Sequence, residues 1–318
     1  MKKILSIIVI SLIAINFSFS QLSEAKKFAK SITAKDLSKH LYIYASDEFE
    51  GRNTGEEGQK KAVEYLRNYY KSIGVEPGDP DKDYFQPMTL NLRGRRGKEG
   101  KKVDTENVIA IIRGTEKADE YVVISAHLDH VGVNENGEIY NGADDDGSGT
   151  VALLEIAEAF KKAVEKGKGP KRSIILLHVT GEEKGLLGSR YYTDTDPIYP
   201  LENTVVNLNV DMIGRIDPSR EAKNRDYIYL IGSDHDSKDL HNLSEETNKE
   251  TLNMTLDYRF NDKNDPQRFY YRSDHYNFAK NGIPIIFYFT GTHADYHKPT
   301  DTPDKIEYDL LELRTQLI

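Results

Sequence analysis

Two adjacent glutamates, Glu182 and Glu183, follow directly after the apolar segment SIILLHVTG. An apolar run of this kind is typical of a buried strand. Acidic pairs are common on solvated helices and loop tips, and in isolation this pair could be one of them. Two carboxylates at the end of a core strand instead indicate a functional site. The surrounding sequence distinguishes a functional site from a solvated acidic pair.

Other acidic and histidine residues also follow apolar, strand-like segments. In chain order these residues are His127, Asp129, His130, Asp144, Asp145, Asp146, Asp211, His293 and His297. In an open α/β sheet, functional groups collect at the carboxyl ends of the strands. We therefore expect side chains from five separate places in the chain to meet at one end of the sheet.

Such a cluster is unstable without positive charge, because buried carboxylates repel one another and are costly to desolvate. A divalent metal ion removes this cost. Histidine nitrogens combined with carboxylate oxygens suit zinc, with manganese or cobalt as substitutes. One zinc ion needs about three protein ligands and a water. The set is too large for one ion and large enough for two ions that share a carboxylate.

The elements that must position these residues alternate along the chain. The strand-like segments are NVIAIIRG, YVVISAH, SIILLHVT, VVNLNVD, YIYLIG and IPIIFYF. The helical segments between and before them include QKKAVEYLRNYYKSIG, GSGTVALLEIAEAFKKAVEKG, DSKDLHNLSEETNKE and SDHYNFAKNG. This alternation predicts an α/β fold, a three-layer α/β/α sandwich whose mixed, mostly parallel central sheet has helices on both faces.

The composition of the chain limits its chemistry and its partners. It has 318 residues, a formal net charge of −9 and no cysteine, so thiolate ligands and disulfides are excluded. The negative charge makes nucleic acid an unexpected partner. The one basic segment, RGRRGKEGKK at residues 93–102, is interpreted as a solvated hairpin tip.

The first 20 residues are typical of a secretory signal peptide. Lys2 and Lys3 precede the apolar segment ILSIIVISLIAI, and small residues precede Gln21. We expect cleavage after residue 20 and a single catalytic domain over residues 21–318. The protein is then expected to be secreted or periplasmic, with no stable membrane insertion after the signal is removed.

Five motifs together resemble those of a known family. In order they are SAHLDHVG, NGADDDGSG, TGEEKGLLGS, NVDMIG and DYHKPTDT. They are similar to the motifs of the di-zinc aminopeptidase family of zinc exopeptidases, which is related to glutamate carboxypeptidase II, the transferrin receptor and glutaminyl cyclase. The family often carries a protease-associated domain between its early motifs, and we expect none here because the motifs leave no room for it. The last helical segment stops early compared with the family, so either this helix is short or this sequence ends before the natural boundary.

The resemblance implies which residues bind the metal ions. His127 and Asp211 match ligands of a first zinc, and Glu183 and His297 match ligands of a second. Asp145 matches the carboxylate that bridges the two ions, and the family places a cis peptide bond directly after it. We therefore expect two Zn²⁺ per chain and a cis bond between Asp145 and Asp146.

The resemblance also implies the catalytic groups. Glu182 matches the general base, and Asp129 matches the carboxylate that holds the second ring nitrogen of the His127 imidazole. Tyr270 or Tyr271 matches a tyrosine that stabilises the oxyanion. Because adjacent side chains leaving a strand point in different directions, Glu183 can bind metal while Glu182 faces the attacking water.

The remaining histidines are expected to have supporting roles. His178 lies within a strand and is interpreted as a core residue, and His275 as a structural or site-lining residue at a helix start. His130 is interpreted as a helper or surface residue. His293 competes with His297 for the last ligand position, and the segment YHKPTDT favours His297.

The function that the resemblance implies is a zinc-dependent aminopeptidase acting on peptides. The alternatives are a glutaminyl cyclase-like zinc acyltransferase with one ion, a carboxypeptidase or dipeptidase of the same family, and a non-catalytic binding relative. A carboxypeptidase needs a basic residue for the substrate carboxylate. The basic residues near the motifs are Arg190, Arg215, Arg272 and Lys298.

Overall fold

The computed structural model describes residues 22–92, 100–221 and 224–318. The strands are β1 Glu76–Pro77, β2 Phe85–Leu92, β3 Lys101–Ile112, β4 Lys117–His127, β5 Gly132–Val133, β6 Ile139–Tyr140, β7 Arg172–Val179, β8 Thr204–Val210, β9 Tyr227–Ile231, β10 Thr255–Asp257 and β11 Ile285–Phe289. The α-helices are α1 (22–29), α2 Ala34–Tyr44, α3 Glu57–Ser72, α4 Gly149–Glu165, α5 Leu187–Asp194, α6 Lys238–Glu250, α7 His275–Ala279 and α8 Tyr308–Leu317.

One nine-stranded mixed sheet organises the fold, in the order β1-β3-β7-β4-β8-β11-β9-β10 with β2 also paired to β3. The four central strands, β7, β4, β8 and β11, run parallel. Strand β3 is antiparallel to β7, and β9 is antiparallel to β11. The carboxyl ends of the four central strands therefore lie at one edge, where the sequence analysis expects the site.

Two apolar cores lie on opposite faces of the sheet. Alternate residues of β3 show this, because Ala110 belongs to the core that contains Leu153 of α4, whereas Ile111 belongs to the core that contains Tyr192 of α5. Helices α2, α3, α4 and α8 cover the first face, and α5 and α7 cover the second. The three-layer α/β/α arrangement with a mixed sheet is therefore confirmed.

Several helices begin and end where the sequence provides the necessary groups. The Thr33 hydroxyl accepts a hydrogen bond from the Asp36 amide and caps α2 at its first turn. Gly74 ends α3 with a φ of 68°, a conformation in which the absence of a Cβ removes the steric cost. The helix expected at QKKAVEYLRNYYKSIG is confirmed.

Strand β2 is the strand that a hairpin tip at residues 93–102 requires before it, although it was not among the continuous apolar segments. Its residues alternate between buried and exposed positions, and Pro87 interrupts the pattern of backbone donors. It lies on the antiparallel side of the sheet and pairs only through β3 in the described chain. Continuous apolar character therefore identified the central strands but not this one, which has one polar face.

Two expectations lie outside the described residues. The first 21 residues include the expected signal peptide, and residues 93–99 include most of the basic segment. Both interpretations stay predictions. Among the described residues, none of the helices has both the length and the apolar character needed to cross a bilayer.

Candidate metal centre

The first ligand group combines the ends of β4 and β8 with the turn before α4. His127 Nε2 lies 3.1 Å from Asp145 Oδ1 and 3.6 Å from Asp211 Oδ1. The three ligand atoms lie within 4.8 Å of one another, and all three residues are buried. The sequence analysis assigned these three residues to the first zinc, and the fold brings them together.

The second ligand group shares Asp145 with the first. His297 Nε2 lies 3.0 Å from Asp145 Oδ2 and 3.1 Å from Glu183 Oε1. The two oxygens of Asp145 therefore face the two groups separately, as a bridging carboxylate requires. His130 also belongs to the second group, which the sequence analysis did not expect.

The ligand atoms are close together without forming hydrogen bonds. Asp145 Oδ2, Glu183 Oε1 and His130 Nδ1 are buried and have no hydrogen-bond partner among the described residues. An orphaned buried polar atom costs about 1–3 kcal/mol, and more if it is charged. Buried donor atoms that converge without hydrogen-bond partners fit divalent cations, and the mixture of nitrogen and oxygen donors fits zinc.

Backbone geometry around Asp145 fixes the turn that carries the bridging carboxylate. The bond between Asp145 and Asp146 is cis, which confirms the expectation from the sequence. The buried Asp146 carboxylate accepts hydrogen bonds from the amides of His127, Gly149 and Met212, at 3.1, 2.9 and 3.2 Å. Asp146 thereby links β4, α4 and the end of β8 beneath the site.

Two residues near the ligands have unusual backbone angles. Met212, directly after Asp211, has a φ of 55°, and His297 has a φ of 54°. A positive φ is costly for side chains of this size. The Met212 backbone is held by hydrogen bonds from its amide to Asp146 and from the Thr290 hydroxyl to its carbonyl oxygen.

Asp129 supports the site differently from the expectation. The ring Nδ1 of His127 lies 3.0 Å from the backbone carbonyl oxygen of Asp129 and 4.0 Å from its carboxylate. The carboxylate is engaged elsewhere, because it accepts hydrogen bonds from the Thr54 hydroxyl at 2.7 Å and the Glu182 amide at 3.1 Å. The expected carboxylate–histidine contact is therefore wrong. The Asp129 carboxylate positions Glu182, and its main chain orients His127.

Glu182 lies in a cleft at the first ligand group. The cleft is lined by Asp145, Glu182, Asp211, Met212, Phe269, Arg272, Phe287, Phe289, Thr292 and Tyr296. Burial raises the pKa of Glu182 well above its usual range, although the His127 imidazole opposes this shift. A carboxyl group with a raised pKa beside a cluster of ligands is suited to accept and return a proton.

The two tyrosines proposed from the sequence lie outside the cleft lining of the described chain. Tyr270 packs in the second core and contacts the rings of His235 and Tyr271. The tyrosine that does line the cleft is Tyr296, which stacks on His297 at 4.0 Å between ring centroids. The structure thus does not support an oxyanion role for Tyr270 or Tyr271. Tyr296 could have been considered from the sequence, because it directly precedes a ligand.

The other histidines have structural positions. His178 is buried in β7, with its Nε2 2.6 Å from the Tyr70 hydroxyl, and His275 stacks on Phe287 at 4.5 Å. His293 Nε2 lies 3.2 Å from Asp144, outside both ligand groups. The core position of His178, the structural position of His275 and the preference for His297 over His293 agree with the sequence analysis.

A buried arginine ties the loops around the site together. The Arg52 guanidinium donates hydrogen bonds to the carbonyl oxygens of Leu128, Asn141 and Gly142, at 3.2, 2.7 and 2.9 Å. It also donates to the carbonyl of Tyr44 at 3.1 Å. The side chain is fully buried. Arg52 therefore fixes the segments that carry both His127 and the aspartate turn.

Comparison with known proteins places this geometry in context. The model of peptidase family M28 matches residues 107–318. A Trichophyton verrucosum protein named probable leucine aminopeptidase is 28% identical over 299 residues, which are 91% of this chain and 72% of that protein. An Arabidopsis thaliana protein named probable glutamate carboxypeptidase LAMP1 is 38% identical over 106 residues, 33% of this chain. That aligned segment is only 14% of the Arabidopsis protein.

Solved structures show the same fold. The Bacillus subtilis zinc aminopeptidase BSAP has a TM-score of 0.68 at 16% identity, with 90% of this chain and 94% of that chain covered. The glutaminyl cyclase of Porphyromonas gingivalis has a TM-score of 0.66 at 20% identity, with 90% and 96% covered. The matched family model spans more than half of the sequence and includes every ligand of the two groups, and on this basis the chain belongs to peptidase family M28.

Proposed function

We propose that the protein is a zinc-dependent exopeptidase that holds two zinc ions and removes N-terminal residues from peptides. The observation that carries the proposal is the sharing of Asp145 between two ligand groups beside the Glu182 carboxylate. His127 and Asp211 would hold one ion, and Glu183 and His297 the other. Family membership and the similarity to a probable leucine aminopeptidase support this assignment.

The ions supply one part of the chemistry, and the protein supplies the rest. Zinc in such a site polarises a carbonyl oxygen and lowers the pKa of water towards neutrality. Glu182 accepts a proton from the attacking water and returns it to the leaving amine. The Glu182 amide donates to the Asp129 carboxylate, so the backbone that carries the base is held in place. The Tyr296 hydroxyl is the candidate donor to the oxygen of the scissile carbonyl.

The cleft suggests the kind of residue that is removed. The side chains of Phe269, Phe287 and Phe289 form an apolar wall, and Asp145, Glu182 and Asp211 form an acidic one. Because zinc ions would neutralise Asp145 and Asp211, the Glu182 carboxylate is the acidic group left to face the ammonium group of a peptide N-terminus. We therefore propose peptide substrates whose first residue is apolar or aromatic.

One cleft residue bears on the carboxypeptidase alternative. Of the four basic residues named from the sequence, Arg272 lines the cleft, whereas Arg215 lies 3.1 Å from Asp295 in an ion pair. The Arg272 guanidinium lies 4.8 Å from the centre of the Phe269 ring. Arg272 is the group that would bind a substrate carboxylate, so the experiment must include substrates that present one.

A substrate panel tests the proposal. Enzyme of measured zinc content is given leucine and phenylalanine p-nitroanilides, the N-acetylated forms, N-blocked dipeptides with free carboxyl ends, and peptides that begin with glutamine. We expect hydrolysis of the free-amine substrates, none of the acetylated ones, and loss of activity with a chelator. Hydrolysis of only the N-blocked dipeptides would assign a carboxypeptidase, and cyclisation without hydrolysis would assign an acyltransferase.

We also propose that the protein is exported, on the basis of residues 1–20. N-terminal sequencing of the protein secreted by its own cells, or recovered from the periplasm, is expected to begin at Gln21. A mature protein that retains Met1 would contradict this proposal.

A further inference from the structure

His130 lies in an unusual environment for a histidine outside the expected ligand set. Its side chain is completely buried, and neither ring nitrogen has a hydrogen-bond partner in the described part of the chain. Its Nδ1 lies 2.9 Å from Glu183 Oε1 and 3.8 Å from Asp145 Oδ2. The buried nitrogen therefore points at the same two oxygens that His297 approaches.

Four ligand atoms from four side chains converge at this point. The atoms of His130, Asp145, Glu183 and His297 all lie within 4.8 Å of one another. Ligands about 2.0–2.1 Å from a tetrahedral zinc are about 3.3–3.4 Å apart. Four distances between these atoms, 2.9, 3.0, 3.1 and 3.8 Å, scatter around this spacing.

The position of the His130 ring is fixed by its surroundings. Its backbone amide donates to the Arg52 carbonyl at 3.2 Å. A Cβ atom on Gly142 would lie 2.5 Å from Cδ2 of the His130 ring, so the ring occupies space that only glycine leaves free. The backbone contact with Arg52 and the space at Gly142 together place the imidazole against Glu183.

We infer that His130 is a fourth protein ligand of the second metal position. This inference rests on the proposed function, because it concerns the same pair of ions. The second position would then be closed by four side chains, as in structural zinc sites, whereas the first keeps three protein ligands and an open coordination position. The two positions are thus chemically different.

The location of the cleft agrees with this difference. Its lining includes Asp145, Glu182 and Asp211, the base and two ligands of the first position. His130 and Glu183 are not part of this lining within the described residues. Substrate therefore approaches the open position, and the closed position serves mainly to hold its ion and the bridging Asp145.

The alternative is that His130 only donates a hydrogen bond to Glu183. The substitution His130→Asn separates the two roles, because the asparagine amide keeps a donor near the place of Nδ1 but cannot replace an imidazole ligand. His241→Asn, on helix α6, is the matched control, because the His241 Nδ1 contacts Ser233 at 3.0 Å and belongs to neither ligand group. Circular dichroism checks that both variants fold.

The readouts are the zinc content, zinc affinity by chelator competition, and the number of imidazoles per zinc by X-ray absorption. In the wild type we expect two ions sharing three imidazoles, about 1.5 per zinc, because each imidazole binds one ion. His130→Asn should lower this to about 1 per zinc. The substitution should also lower the affinity for one zinc ion by more than about 10–100-fold, which is the loss expected when a residue that only hydrogen-bonds to a ligand is removed. His241→Asn should match the wild type.

Each result has a defined meaning. About one imidazole per zinc in the two-zinc wild type overturns the ligand role of His130, and this measurement does not depend on any variant folding. Retention of both ions by His130→Asn within about tenfold of the wild-type affinity also overturns it. A wild-type protein that binds no zinc contradicts the proposed function instead.

Discussion

At the scale of single residues, the proposed function assigns metal binding and proton transfer to two adjacent glutamates. Adjacent carboxylates divide these tasks, because Glu183 faces the second ligand group while Glu182 lines the cleft. The His130 and His297 imidazoles lower the pKa of Glu183 to about 2, against the effects of burial and of Asp145, which raise it. The pKa of Glu182 is shifted in the opposite direction, chiefly by burial. Two chemically identical groups thus acquire different functions from their surroundings.

Substitution of the base tests this division directly. We expect Glu182→Gln to lower kcat by about 10²–10⁴-fold, because general-base catalysis contributes this much. The zinc content measured by mass spectrometry should stay at the wild-type value. Glu202→Gln, at an exposed glutamate before β8, is the control. A kcat for Glu182→Gln within about tenfold of the wild type would exclude Glu182 as the base.

The tyrosines can be distinguished by removing one hydroxyl at a time. Tyr296→Phe is expected to lower kcat roughly 100-fold, the typical effect of losing an oxyanion donor, with little change in KM. Tyr270→Phe removes a hydroxyl in the second core and should leave kcat close to the wild type. The opposite pattern would return the role to Tyr270, one of the two tyrosines that the family resemblance suggested.

The resemblance of the motifs supplied the five proposed ligands and the proposed base, and the fold brings these residues together, but the motifs did not indicate every group in the site. His127 and His130 are three residues apart, yet their rings enter different ligand groups. Spacing along the chain cannot show this, because it depends on the turn after β4 and on its contact with Arg52. The hydrogen-bonding of Asp129 was also mispredicted, since Thr54, which competes for its carboxylate, lies outside all five motifs.

At the scale of elements, the site depends on where the parallel strands end. Continuous apolar runs predicted six strands of the sheet, because strands covered on both faces have no polar side. Strand β2 lacks that signal and was implied only by the hairpin-tip interpretation of residues 93–102, whereas β10 was found only in the structure. The antiparallel pairings of β3 and β9 depend on contacts between distant segments, which local sequence patterns do not specify.

The buried histidine His178, where β7 meets α3, predicts how stability depends on pH. Burial lowers the pKa of His178 to about 3. In the unfolded chain the pKa of a histidine is about 6.5. As pH falls below this value, only the unfolded chain binds the proton, so the stability that comes from keeping His178 neutral is lost between about pH 6.5 and 3. The loss at pH 5 is about 2 kcal/mol.

His178→Gln removes this titration, so its unfolding free energy should decrease less steeply than that of the wild type between pH 6.5 and pH 4. Urea unfolding across this range provides the measurement, with His241→Gln as the control for losing a histidine elsewhere. Parallel curves for the wild type and His178→Gln would show that His178 does not contribute to acid sensitivity.

At the scale of the whole molecule, the buried carboxylates make stability depend on metal. Asp145, Asp211 and Glu183 meet at one edge of the sheet, and their repulsion is relieved when cations bind. A ligand that binds only the native state, present at a concentration of 100 times its Kd, adds about 2.7 kcal/mol to the unfolding free energy.

Calorimetry of zinc-loaded and chelator-treated protein tests this dependence. We expect the chelator to lower Tm by several degrees, since each kcal/mol shifts Tm by about 2–4 °C in proteins of 150–250 residues. Re-addition of zinc should restore the original Tm. Magnesium at the same concentration should not, because it prefers all-oxygen sites. An identical Tm with and without zinc would contradict a metal-stabilised core.

The hydrogen bonds of Arg52 have a consequence for recombinant expression. The matched region begins at residue 107 and contains every proposed metal ligand, but Arg52 and Thr54 lie before it. A fragment starting at Asn107 would leave the carbonyls of Leu128 and Gly142 without their donor, and the Asp129 carboxylate without its hydroxyl partner. A shortened protein intended for crystallisation or enzymology should therefore begin upstream of α2, so that the loops bearing the ligands remain anchored.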